Sequence, residues 1–168
     1  MTVPIAGVFV GMELPNRKLQ RLTGYDYSQN GYYFVTICTH NKNHILGMVQ
    51  NNNVYLSDYG KIASIEFENI KNHFDCIKVE KYIIMPNYIH CILVINTNEE
   101  RSRPFPTLST VVGLFKSGVS KRIHQIDSSL KVWQKSFYDC IIKNEKSYME
   151  CWKYIDQNAL TWESDECY

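Results

Sequence analysis

Net charge is the first thing this sequence lacks. Its 18 Lys and Arg residues are offset by 17 Asp and Glu, leaving +1 over 168 residues. A chain so balanced has no global electrostatic signature of nucleic-acid binding, and any such contact must come from local patches. Paired cysteines are missing as well. Cys38, Cys76, Cys91, Cys140, Cys151 and Cys167 are scattered with no Cys-x-x-Cys spacing, which argues against a zinc site and for a reduced, cytoplasmic protein. Cys38, Cys91 and Cys140 fall inside strand-like runs, where a reduced cysteine behaves as a small hydrophobe. The mildly apolar start from Met1 to Val10 has neither the length of a membrane span nor the basic residues of a signal peptide. Residues 1–16 therefore read as a flexible leader. Repeats and low-complexity blocks are absent too. What remains is one domain over 17–162, large enough to bury a core, with an acidic tail at 163–168.

Within that domain, Tyr32–Thr39 is β-branched and aromatic, a core strand by composition. Gly47–Gln50 and Val54–Leu56 flank Asn51, Asn52 and Asn53, and asparagine tolerates the left-handed backbone of a hairpin tip. Ser57 and Asp58 can cap a helix running to about Phe74, with Ile62, Ile65, Phe67 and Ile70 near helical spacing. Ile77–Met85 and Tyr88–Ile95 are joined too tightly for parallel pairing and predict an antiparallel hairpin. Residues 97–107 hold two prolines with Arg101 and Arg103 and read as a loop. Ser109 to about His124 reads as a helix with Val112, Phe115 and Val119 toward the core, although Gly113 and Gly118 weaken it. Trp133–Lys143 is strand-like in part, and Glu145–Asn158 is the last helix. Tight hairpins interleaved with helices predict an α+β fold, an antiparallel sheet with helices on one face or both.

The most informative stretch runs from Tyr82 to Ile95, where Met85-Pro86-Asn87 separates two apolar segments and His90 sits on the outgoing one. Strand alternation puts Tyr88 and His90 on one face and Ile89 on the other. On the last helix Tyr154 and Asn158 are four residues apart and stack on one face, beside an apolar stripe of Tyr148, Cys151, Trp152 and Ile155. A helix packed through that stripe aims Tyr154 at the sheet where His90 lies. Taken singly, each residue has a plainer explanation. A tyrosine on an amphipathic helix is usually packing, a histidine on an apolar strand is usually structural, and Asn158 suits a left-handed helix end.

Four segments in order carry a resemblance. They are Gly24-Tyr25-Asp26-Tyr27-Ser28-Gln29-Asn30-Gly31 leading into Tyr33-Phe34-Val35-Thr36, then Met85-Pro86-Asn87 with Ile89-His90, then Trp133-Gln134 leading to Phe137-Tyr138-Asp139, and finally Glu145 through Tyr154, Asn158 and Trp162. Together, from about Arg17 to Trp162, the chain resembles the REP-associated tyrosine transposases, one-tyrosine HUH enzymes that cut and join single-stranded DNA. The resemblance implies a ferredoxin-like antiparallel sheet flanked by helices. It also implies cleavage and rejoining of DNA near hairpins, with Tyr154 as nucleophile and a divalent metal, magnesium or manganese, at His90 and Asn158. The partner would be single-stranded or hairpin DNA, with no membrane and with a homodimer left open. Three positions depart from the family's pattern. Tyr88 stands where the family has the first histidine of its His-hydrophobic-His pair, Cys140 replaces a histidine, and Ala159 replaces a proline.

Tyr88 divides the functional reading. A neutral phenol, with a reference pKa of about 10, is a poor ligand for hard cations, so one reading is a working transposase and the other a weakened or inactive hairpin-DNA-binding protein of the same fold. Asp58, Asp75 and Asp139 are open as replacement ligands. Arg17, Lys18, Arg21, Lys116, Lys121 and Arg122 would track phosphates if they lined one face, and Tyr25, Tyr27 and Phe105 could stack unpaired bases.

Overall fold

The computed structural model describes residues 24–97 and 105–162. The leader, Arg17, Lys18, Arg21, Arg101, Arg103, Cys167 and the acidic tail lie outside the described residues. The elements in chain order are β1 (Gly31–Cys38), β2 (Gly47–Gln50), β3 (Asn53–Leu56), α1 (Asp58–His73), β4 (Ile77–Ile84), β5 (Tyr88–Ile95), α2 (Leu108–Ile123), β6 (Tyr138–Ile142) and α3 (Glu145–Gln157). A four-stranded sheet has the order β4-β5-β1-β6, and β2 and β3 form a separate ribbon. Every pairing is antiparallel. Without the ribbon, β1-α1-β4 and β5-α2-β6 are two split βαβ units, the ferredoxin-like arrangement, and α3 is added on the other side.

Alternation divides the sheet into two faces. Tyr33, Val35 and Ile37 of β1 and Ile89, Cys91, Leu93 and Ile95 of β5 join the main core with Phe67 of α1 and Phe115 and Val119 of α2. The opposite face brings Phe34 and Ile92 against Cys151 and Ile155 of α3. Both faces are thus covered. Ile65, expected on the buried side of α1, is 47% exposed, because it projects from the side of the helix opposite the Ala63, Phe67 and Ile70 face that packs.

Each helix begins on a side-chain cap. Ser57 Oγ accepts from Gly60 N–H at 3.1 Å, Thr107 Oγ1 from Thr110 N–H at 3.3 Å and Asn144 Oδ1 from Ser147 N–H at 2.9 Å. The ribbon turns on Asn51 and Asn52, both with positive φ (51° and 60°), as a two-residue hairpin with right-handed strand twist requires. The turn between β4 and β5 is closed by Met85 N–H donating to Tyr88 O at 2.9 Å and clamped from outside by Thr39 N–H to Asn87 O at 2.9 Å and Leu46 N–H to Pro86 O at 3.0 Å. That clamp fixes the direction in which Tyr88 and His90 leave the turn. Cys38, Cys91 and Cys151 are buried and Cys140 half-buried, none of them in a disulfide.

Candidate functional site

His90 projects from β5 toward α3, between strands that hold it on both sides: its neighbours in register are Thr36 on β1 and Ile83 on β4. Thr36 Oγ1 and His90 Nδ1 share a hydrogen bond of 2.8 Å, which sets the ring's orientation and leaves Nε2 as its other nitrogen. The Tyr154 ring lies 5.2 Å from the His90 ring, centroid to centroid, and 6.0 Å from Phe34. Tyr88 lies against His90 on the other side at 4.5 Å. His90 and Tyr154 thus face each other on the sheet face that α3 covers.

The position of α3 follows from what its inner stripe meets. Tyr148 packs edge-on against Tyr32 at 5.5 Å and its hydroxyl donates to Glu80 Oε1 at 3.3 Å. Burial, with the Glu80 carboxylate second, pushes that phenol above its ordinary range. Lys81 sits over the Trp152 ring at 4.2 Å and pairs with Asp156. Burial pushes the Cys151 thiol up to about 12. A helix docked by aromatic, cationic and buried apolar groups at successive turns has one rotation about its axis, and that rotation delivers Tyr154 to His90.

Asn158 caps α3 in ordinary right-handed conformation (φ −59°, ψ −41°), so it does not sit there for a left-handed bend. Its side chain turns inward instead. The Tyr88 hydroxyl donates to Asn158 Oδ1 at 2.8 Å, with Tyr88 and Asn158 both 0% exposed and His90 2% exposed. Trp162 closes this end, 5.7 Å from Tyr88 and in the same cluster as Cys38 and Met85. Among the described residues no three His, Cys, Asp or Glu side chains are grouped as a metal ion would require. Asp139 is paired in register with Val35, on the sheet face away from α3, and Asp58 pairs with Lys61 at 3.0 Å.

The basic residues of α2 do not join this site, because α2 packs on the opposite face of the sheet. Lys116 is half-buried and donates to Gln134 O at 2.6 Å and Ser136 O at 3.1 Å, while Trp133 Nε1 donates back to Lys116 O at 3.1 Å. Burial lowers its pKa. The Trp-Gln segment is thus tied to α2, and Gln134 N–H reaches Cys38 O at 3.0 Å at the end of β1. Arg122 pairs with Glu66 at 2.7 Å, and with exposed Lys121 it lines a groove between α1 and α2. Tyr25 and Tyr27 pack edge-to-face at 4.9 Å beside the core, where Phe105 also packs. Sequence reading missed Thr36 and Phe34 as neighbours of His90. The available signal was the one aliphatic hydroxyl, Thr36, on a strand of aromatic and apolar residues; what it lacked was the register between residues 54 apart in sequence.

Comparison with known proteins agrees with this architecture. A solved REP-associated tyrosine transposase bound to a REP hairpin superposes with a TM-score of 0.61 at 16% identity, over 82% of this chain and 72% of that one. A candidate transposase from Deinococcus radiodurans R1 superposes with a TM-score of 0.50 at 15% identity, over 83% of this chain and 97% of that one. At such identities the shared property is the fold: an antiparallel α+β sheet flanked by helices. No family model matches the sequence. An uncharacterized protein of Haemophilus influenzae is 32% identical, with 91% of this chain and 93% of that protein aligned, and the chain belongs to that protein's family.

Proposed function

We propose that this protein binds hairpin or single-stranded DNA on a transposase scaffold whose tyrosine chemistry is held shut. The observation that carries this reading is the buried hydrogen bond from Tyr88 to Asn158. A hard divalent cation takes carboxylate, amide or water oxygens together with imidazole. At this site the amide oxygen already accepts the Tyr88 proton and the third position is a neutral phenol, so the His90 ring, oriented by Thr36, would bring a single nitrogen donor. The donor set does not fit magnesium or manganese in this arrangement, so no catalytic step is routed through a metal. The fold shared with a transposase solved on a hairpin, together with the ordered motifs, supports DNA as the partner. Among the described residues no helix is long and apolar enough to cross a membrane.

A second reading is favoured by the 5.2 Å approach of Tyr154 to His90. In an active enzyme the Tyr154 Oη–phosphorus bond would form as the bond from phosphorus to the 3′ oxygen breaks. The phenolic proton would pass to that oxygen, leaving a 5′-phosphotyrosine and a free 3′ hydroxyl. One experiment separates the readings. The protein is incubated with a labelled hairpin carrying unpaired flanks, with and without manganese, and analysed by anisotropy and on a denaturing gel. Binding without a covalent species is expected for the natural chain. An adduct that Tyr154→Phe removes would establish the active enzyme instead, and an absence of binding to any hairpin would overturn both.

A further inference from the structure

Resting on that DNA reading, we infer that the outer face of the β2–β3 ribbon is a stacking platform for an unpaired base beside the hairpin, with Tyr55 as the stacking ring and Met48 as its neighbour. The two residues are directly opposed across the ribbon, and they are 61% (Met48) and 53% (Tyr55) exposed. An isolated two-stranded hairpin is marginal in water and needs one buried side. The ribbon buries the other side: Val49 and Val54, the next opposed pair, pack against the cluster of Cys38, Met85, Tyr88 and Trp162. Folding is served by that inner face alone. The outer pair adds only its own cross-strand contact.

The charge around the ribbon suits a polyanion. From Tyr27 to Ser57 the sequence contains no Asp or Glu, although the chain has 17. That span carries instead His40, Lys42 and His44 before the ribbon and the amides of Gln50 to Asn53 at its tip, so the segment itself offers a phosphate backbone donors and no carboxylate, the flanking acids being Asp26 and Asp58. Position adds a third argument. Val49 and Val54 of the ribbon pack on the cluster that holds Tyr88 and Trp162, and the His44 ring just before the ribbon stands 5.6 Å from Trp162, so the ribbon is one side-chain layer from the candidate site. An aromatic ring accepts the face of any unpaired base, whereas pairs inside a duplex have both faces covered by their stacked neighbours, which makes an unpaired nucleotide the occupant.

The test measures anisotropy of the full chain with three labelled probes: a blunt hairpin, the same hairpin with unpaired extensions, and the extended hairpin with abasic extensions. The extended hairpin is expected to bind most tightly. Tyr55→Ala should weaken that probe roughly 5- to 150-fold, the range for one lost base–aromatic stack of about 1–3 kcal/mol, while leaving the blunt hairpin unchanged; Tyr55→Phe should bind as the natural chain does. Because Tyr55 is exposed, the alanine variant keeps its fold, which melting temperature checks. Equal affinity of Tyr55→Ala and the natural chain for the extended hairpin overturns the platform, and so does an equal loss on the blunt hairpin. A dimer that dissociates in Tyr55→Ala would assign the face to a second copy of the chain and also overturns it. If the natural chain binds none of the probes, the failure is that of the DNA reading itself.

Discussion

Replacing Tyr88 tests the central contact of the site from two directions. Tyr88→Phe keeps the ring and removes only the hydroxyl, so Asn158 Oδ1, at 0% exposure, loses the donor it holds at 2.8 Å. Depriving a buried acceptor of its donor costs about 1–3 kcal/mol, and in a domain of this size each kcal/mol moves Tm by about 2–4 °C. The melting temperature should therefore fall by about 2–12 °C. Tyr88→His should also destabilise the metal-free protein, but it returns an imidazole to the face that His90 shares and releases the Asn158 amide oxygen. If a manganese site forms, a concentration one hundred times its Kd restores about 2.7 kcal/mol. The assay is thermal unfolding in chelator and across a manganese series, with no DNA present, so the result does not depend on catalysis. The natural chain is expected to melt at one temperature throughout, while Tyr88→His climbs with manganese and Tyr88→His/His90→Ala does not. A natural chain whose Tm rises with manganese as steeply as that of Tyr88→His would refute the closed site. A Tyr88→Phe variant as stable as the parent would show that the hydrogen bond holds nothing.

Other residues give independent checks. Lys116→Met should destabilise the fold by about 1–3 kcal/mol and so lower Tm, since Gln134 O and Ser136 O lose their donor, without altering the salt dependence of DNA binding; an unchanged Tm with a shallower salt slope would make Lys116 a phosphate contact after all. Gly113→Ala, where a methyl meets open space, should stabilise α2 by up to about 1 kcal/mol, whereas Gly60→Ala drives a methyl into the Leu46 carbonyl and should cost several times that in urea unfolding; equal effects would contradict the packing of α1 against the ribbon. The Cys151 thiol, raised from its ordinary 9.0 to about 12, keeps in the folded state a proton that the unfolded chain releases. Its stabilising share is therefore complete below about pH 9 and is lost as pH rises toward 12; Cys151→Ala should flatten the alkaline decline in the urea midpoint, and an identical decline would show that the thiol is not protected.

Period-two alternation was enough to place Tyr88 and His90 on one face, and a turn of three residues was enough to make their hairpin antiparallel, because both follow from backbone geometry that any sequence obeys. Helix starts were legible at Ser57 for the same kind of reason: the cap is a local hydrogen bond. Asn51 and Asn52 announced their positive φ. What could not be read is whatever depends on pairing between distant segments. Thr36 reaches His90 only through the register of β1 against β5, and nothing in the helical spacing of α2 distinguishes Lys116, which turns to carbonyls, from Lys121, which stays exposed. Tyr88 belongs to this second kind. Sequence comparison marked it as a lost imidazole, which suggests a gap in the site. The structure instead makes the phenol long enough to reach across to α3 and satisfy the amide of Asn158. A smaller side chain at position 88 would leave that amide oxygen free for a metal or for water, and a larger apolar one would leave it buried without this donor. The residue that removes a metal ligand is thus also the one that makes burying the remaining ligand stable, which is why a single substitution at Tyr88 should move metal affinity and stability in opposite directions.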